Sequence, residues 1–150
     1  MNAATTTPDG ELDRVERSTA IDASAEEVWE LVCRPGWWIN DGDIDPDSLP
    51  AATSGVQVVD HPQQGRFEVH TLRADRPRYL SYRWIGGRSS ADTLVEFFLE
   101  ERVGGVTLRV VESGFEALAM SLEAKNRLVE EHRFGWELEL LAVRKFVVAT

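Results

Sequence analysis

Two side chains of this sequence have the chemistry to move or share a proton in a reaction, Tyr82 and His132. Histidine is the residue whose ordinary pKa lies nearest neutrality, so His132 could serve as a general acid or base. Tyr82 could donate a hydrogen bond to a carbonyl, as a cyclase-like reaction would require. A plainer role fits both better, as a satisfied histidine and a tyrosine inside a core. Glu112 and Glu116 flank Ser113-Gly114-Phe115 and could act as acid and base. In a chain with 26 acidic residues, however, two carboxylates carry little information.

Other chemistries find less support. His61 falls in an expected loop and His70 on the outer face of an expected strand, so three dispersed histidines give no metal centre. The lone Cys33 excludes an internal disulfide and a cysteine-based zinc site, and its place at the end of an apolar helical face reads as a small buried hydrophobe. Asp41, Asp43, Asp45 and Asp47 alternate like calcium ligands. An EF-hand starting at Asp41 would need Gly and Glu where Pro46 and Ala52 stand, so this is a solvated acidic loop. There is no G-x-S-x-G, G-x-G-x-x-G or phosphate loop, and no cofactor is expected. The net charge of −10 counts against nucleic acid and anionic membranes as partners. Arg73, Arg76 and Arg78, the one local basic cluster, flank a turn and read as solvated.

The element that must carry His132 is the stretch 125–147. Leu128, His132, Trp136, Leu140, Val143 and Val147 recur at three and four residues and share one face of a helix about six turns long. Such a helix needs a broad apolar surface, and the preceding sequence supplies strands. Residues 12–22 alternate around Val15 and Ile21. Ser24 with Glu27 forms a capping box ahead of AEEVWELVCR, whose buried face is Val28, Trp29, Leu31 and Val32. Pro35 opens a second short helix, PGWWIN, that brings Trp37 and Trp38 toward whatever the sheet encloses. From Val56 to Ser113 the pattern is β: VQVVD, RFEVHTLR, RYLSYRWI, TLVEFFLEE and VTLRVVES, joined by turns, with Gly104-Gly105 a hairpin signal. Val106, Leu108 and Val110 point inward. Phe115–Glu123 forms a helical turn or short helix. The expected domain organisation is a disordered tail over 1–11 and one α+β domain over 12–150. No apolar run reaches membrane-spanning length and MNAATTTPDGE is not a signal peptide, so the reading is a cytoplasmic protein.

In this order and spacing the pieces resemble a known family. IDASAEEVWELV after a strand, LSYRW, VEFFLEERVGGVTLRVVESGF and HRFGWELELLAVRKF are similar to START-like (SRPBCC) domains, most of all the branch related to the activator of the heat-shock chaperone ATPase. The resemblance covers roughly residues 14–147. It implies the helix-grip fold, a curved antiparallel sheet of about six or seven strands wrapped around the C-terminal helix, with two short helices after the first strand. It also implies a cavity between sheet and helix that holds a small hydrophobic or aromatic molecule. The alternatives are a cyclase-, aromatase- or hydrolase-like enzyme in the same cavity, or a module that contacts a chaperone or another protein.

On that frame the inward residues Phe67, Tyr82, Trp84, Phe97 and Leu99 face His132, Trp136 and Leu140, with Trp38 near the entrance. These aromatic rings either fill a core or wall a pocket. Gly135 is the most informative single residue, because glycine inside a helix costs about 1 kcal/mol relative to alanine. Its benefit is either close approach of a strand or space for a ligand.

Overall fold

Alternation of apolar and polar residues builds most of the molecule. A computed structural model of the chain describes residues 13–51 and 55–149, and the expected tail over 1–11 lies outside them. The elements are β1 (Arg14–Ile21), α1 (Ala25–Val32), β2 (Val56–His61), β3 (Gly65–Asp75), β4 (Tyr79–Gly86), β5 (Ala91–Arg102), β6 (Gly105–Ser113) and α2 (Leu122–Ala149). The strands form one curved antiparallel sheet in the order β1-β6-β5-β4-β3-β2. Short turns join β2 to β6 as a meander, and β1 closes against β6. This is the α+β helix-grip architecture.

The period of two appears directly in burial. Along β5, Ala91, Thr93, Val95, Phe97 and Leu99 are buried while the residues between them are not. On β6, Val106, Leu108 and Val110 have no exposed surface. Helix α2 lays Leu128, Val129, Trp136, Leu140, Val143 and Val147 on this concave face. Its outer side is less uniformly charged than the sequence suggests, for Phe134, Leu138 and Leu141 are exposed there. No helix among the described residues is long and apolar enough to cross a membrane.

Helix α1 starts as expected. Ser24 accepts from the Glu27 amide at 3.1 Å, and the Glu27 carboxylate accepts from the Ser24 amide at 2.9 Å. The second short helix does not form. Gly36 takes a φ of 85°, a left-handed conformation that breaks a helix one residue after Pro35, and the chain turns tightly over 33–38 instead. Inside the acidic loop, Asp45 caps a single 3-10 turn, Pro46–Ser48, by accepting from the Asp47 amide at 3.0 Å. Residues 115–121 are turns rather than a helix, and α2 begins at Leu122. Cys33 is half-buried. Arg76 is less free than a solvated turn implies, since it pairs with Glu26 and Glu30 of α1 at 2.8 and 2.7 Å.

Those tight turns decide where Trp38 goes. Rather than standing at an entrance, it is 3% exposed at the centre of the molecule. Its ring lies 5.4–5.9 Å from those of Trp37, Tyr82, Trp84, Phe97 and Trp136. The middle of the space between sheet and helix is therefore filled. Trp38→Ala should destabilise the fold by about 3–5 kcal/mol, measured by urea denaturation; a loss below about 1 kcal/mol would mean that the ring is not packed as described.

Candidate functional site

Glu112 has no exposed surface. The same alternation that turns Val106, Leu108 and Val110 inward carries on to this residue. A buried carboxylate must be paired and hydrogen-bonded, or it is very costly. Three side chains meet that demand. Thr93 Oγ1 on β5 donates to Oε2 at 2.6 Å, and Trp136 Nε1 on α2 donates to Oε1 at 2.8 Å. His132 Nδ1 lies 2.8 and 3.0 Å from the two oxygens. An ionised carboxylate only accepts, so Nδ1 carries a hydrogen. Glu116, by contrast, is exposed and takes no part.

This contact leaves Nε2 of His132 unpartnered among the described residues, on a side chain that keeps 17% of its surface. The imidazole is held between rings, 5.1 Å from Trp84 at 30° and 5.6 Å from Phe115 at 81°. Burial by itself would lower the histidine's pKa. The Glu112 charge and hydrogen bond outweigh burial, Glu131 adds to them, and the group ends above its ordinary value. With Nδ1–H committed to Glu112, Nε2 accepts in the neutral ring and donates in the imidazolium, the form that the neighbouring Glu112 charge favours.

Nε2 faces a groove at one end of the helix–sheet interface. Two adjoining depressions of about 210 and 260 Å³ share Gln64, Trp84, Glu131 and His132. The first continues to Phe67, Thr93 and Leu128, with Arg88 at the rim. The second runs along α2 past Gly135 and Trp136 to Glu139, beneath Trp38, Ile39 and Asn40. His61 shapes the Gln63-Gln64 wall. It is the buried last residue of β2 rather than part of a loop. Its Nδ1 accepts from the amides of Gln63 and Gln64 at 3.1 and 3.0 Å, while Nε2 faces Asp41 at 3.3 Å. A larger depression of about 360 Å³ lies between α1, Leu49 and the end of α2, but no buried ionisable group lines it.

Gly135 has open space beside it. A Cβ added there would meet nothing within 4 Å, which overturns close approach of a strand. Glu139, one turn further, was not singled out by the sequence. It is 6% exposed, its Oε2 accepts from the Gly42 amide at 3.0 Å, and its Oε1 has no partner. Burial pushes its pKa up to about 8, against the Gly42 hydrogen bond and with help from Asp41.

Of the aromatic and apolar residues expected to line a cavity, Trp38, Phe67, Trp84 and Trp136 reach the groove with His132. Phe97, Leu99 and Leu140 are core residues and do not line it. Tyr82 is fully buried and its hydroxyl donates to the Val32 carbonyl at 2.7 Å. Burial also drives its pKa far upward, so the phenol is not offered to a substrate. Among the described residues no group of three His, Cys, Asp or Glu side chains could hold a metal ion.

Residues 22–143 match the family model described as Activator of Hsp90 ATPase homolog 1-like protein. The chain belongs to this family. Several solved structures share the fold of this Hsp90-activator-like domain. The protein MLL2253 from Mesorhizobium loti superposes with a TM-score of 0.71 at 18% identity, over 91% of this chain and 98% of that one. The Aha1 dimer from Colwellia psychrerythraea gives 0.66 at 13% identity, over 89% and 95%. CalU16 from Micromonospora echinospora gives 0.58 at 19% identity, over 89% and 75%. No curated protein matches the sequence significantly.

Two perturbed groups on the groove side of α2 in this Hsp90-activator-like domain make its stability depend on pH. Glu139 goes from an ordinary value of 4.5 to about 8 on folding, so the folded state holds that proton more tightly. The stability it contributes is complete below pH 4.5 and is lost as pH rises to about 8. His132, also raised, adds stability that is present below its ordinary 6.5 and is lost above it. Glu139→Gln should therefore flatten the fall of Tm between pH 4.5 and 8; an unchanged slope would mean that this carboxyl titrates normally.

Proposed function

We propose that this domain binds a small aromatic molecule of one or two rings in the groove between the β3–β4 end of the sheet and α2. The observation that carries the reading is His132, whose Nδ1 is committed to the buried Glu112 while its Nε2 faces open space at the edge of an aromatic wall. Trp84 and Trp136 give the groove aromatic walls that suit a planar ligand, and an anionic group upon it would pair with His132 as the imidazolium. Size argues the same way. Each depression is about 210–260 Å³, below the roughly 300–1,000 Å³ range of pockets for drug-sized molecules. With Trp38 filling the centre, a sterol or long acyl chain has no room. A catalytic reading loses its second group, because the Tyr82 hydroxyl is bound to Val32.

A test uses 2-naphthoate as probe and the five tryptophan indole resonances as reporters. Saturable shifts should appear for Trp84 and Trp136 and not for Trp29 of α1. His132→Gln should weaken binding about tenfold or more, the worth of a hydrogen bond to a charged group. No saturable shift in the intact protein would sink the proposal. Gly135→Ala should behave oppositely on two measures. It should stabilise α2 by up to about 1 kcal/mol while weakening naphthoate, because the new methyl enters the groove.

One observation favours a protein contact as a second reading. Phe134, Leu138 and Leu141 are 63, 40 and 45% exposed and lie within reach of each other on α2. A chaperone of the kind in the family's description is the partner to try. Stimulation of its ATPase that persists with naphthoate bound and is lost in Leu141→Asp would select this reading.

A further inference from the structure

We infer that the groove is a two-ended site for an aromatic molecule with an anionic acceptor, such as a carboxylate, at one end and a hydroxyl at the other. His132 Nε2–H holds the acceptor and the Glu139 carboxyl holds the hydroxyl. The inference rests on the aromatic-ligand reading above and adds the polar pattern that the ligand must carry.

Position supports it first. His132 and Glu139 are seven residues apart on α2, two turns, so both point to the same side with about 10 Å of helix between them. Gly135 lies between them with open space where a side chain would be. Both ends line the same depression, together with Trp84, Trp136 and Asn40. A planar molecule lying along the helix would span from one polar end to the other over the missing side chain.

Unmet hydrogen-bonding capacity supports it second. Glu139 is more than nine-tenths buried, and only one of its two oxygens has a partner, the Gly42 amide. Buried acceptors without partners are rare in native proteins and are expensive to keep. The free oxygen could be satisfied by a hydroxyl donor. The indole N–H groups of Trp38 and Trp84, both wall residues, are unpartnered as well. The opposite arrangement, an anion beside Glu139, would meet Asp41 and the carboxyl itself. An anion therefore belongs at the histidine, and at the glutamate a hydroxyl, which can give a hydrogen bond to the carboxyl or accept one from it.

The experiment compares 6-hydroxy-2-naphthoate, 2-naphthoate and 2-naphthol by calorimetric titration. The hydroxynaphthoate should bind the intact protein about tenfold or more tighter than 2-naphthoate, the gain expected for one well-placed hydrogen bond. Glu139→Leu should erase that difference. His132→Gln should instead weaken both naphthoates and leave 2-naphthol little changed. Equal affinity of the two naphthoates, or a hydroxyl preference that survives Glu139→Leu, would overturn the two-ended site while leaving the aromatic groove intact. Failure of all three probes to bind would overturn both. Should Glu139→Leu not fold, the carboxyl carbon of Glu139 in the intact protein decides. Its titration midpoint should move on adding hydroxynaphthoate and not on adding 2-naphthoate; an unmoved midpoint would count against the assignment.

Discussion

A carboxylate sealed from water places a demand on everything near it, and Glu112 makes that demand at the point where sheet and helix meet. Its two oxygens are satisfied by Thr93 from β5 and by His132 and Trp136 from α2. The three donors fix the helix in rotation and in register along the sheet, because a slide of one residue would take both helical donors out of reach. Apolar contacts alone tolerate small slides; hydrogen bonds to a buried ion do not. The pair also sets the histidine. With Nδ1 held, the ring cannot flip, and its other nitrogen faces the groove. The interaction that locks the two layers together thus also orients the imidazole that lines the groove.

Trp38 acts as a complementary constraint. By filling the centre it confines free volume to one end of the interface, where the polar side chains are. A helix-grip domain with a smaller residue at this position would have a deeper and more apolar cavity on the same backbone. Relatives with the same fold and less than 20% identity therefore need not share a ligand. What the fold provides is a place, and the residues at 38, 112, 132, 135 and 139 give this place its size and polarity.

Much of the architecture was legible in the sequence. Strand alternation, the capping box and the long apolar face of α2 each arise from local periodicity, and each appears where the spacing puts it. The site was legible only in part. His132, Trp84 and Trp136 were found because aromatic and imidazole side chains on an inward face attract notice. Glu112 obeys the same alternation as Val110, two residues earlier, and Glu139 lies on the same side of the helix as Trp136. Glu139 was hidden by its type, and Glu112, named together with Glu116, carried little weight, since carboxylates in an acidic chain read as solvent-facing. Trp38 could not be placed at all by periodicity. Its position depends on the left-handed turn at Gly36, which is a matter of backbone torsion rather than of pattern.

The pairing of β1 with β6 has a consequence for the order of assembly. The first strand has no partner until the last one exists, and Glu112, on that last strand, has no helical donors until α2 follows it. During synthesis the meander from β2 to β5 can form hairpin by hairpin. β1 and the Glu112 carboxylate must both wait, the strand with an open edge and the carboxylate in water. Closing the long loop between Ile21 and Val106 is slow compared with forming a hairpin. Dehydration of Glu112 can therefore be completed only when α2 docks, which makes that docking the step that seals the domain.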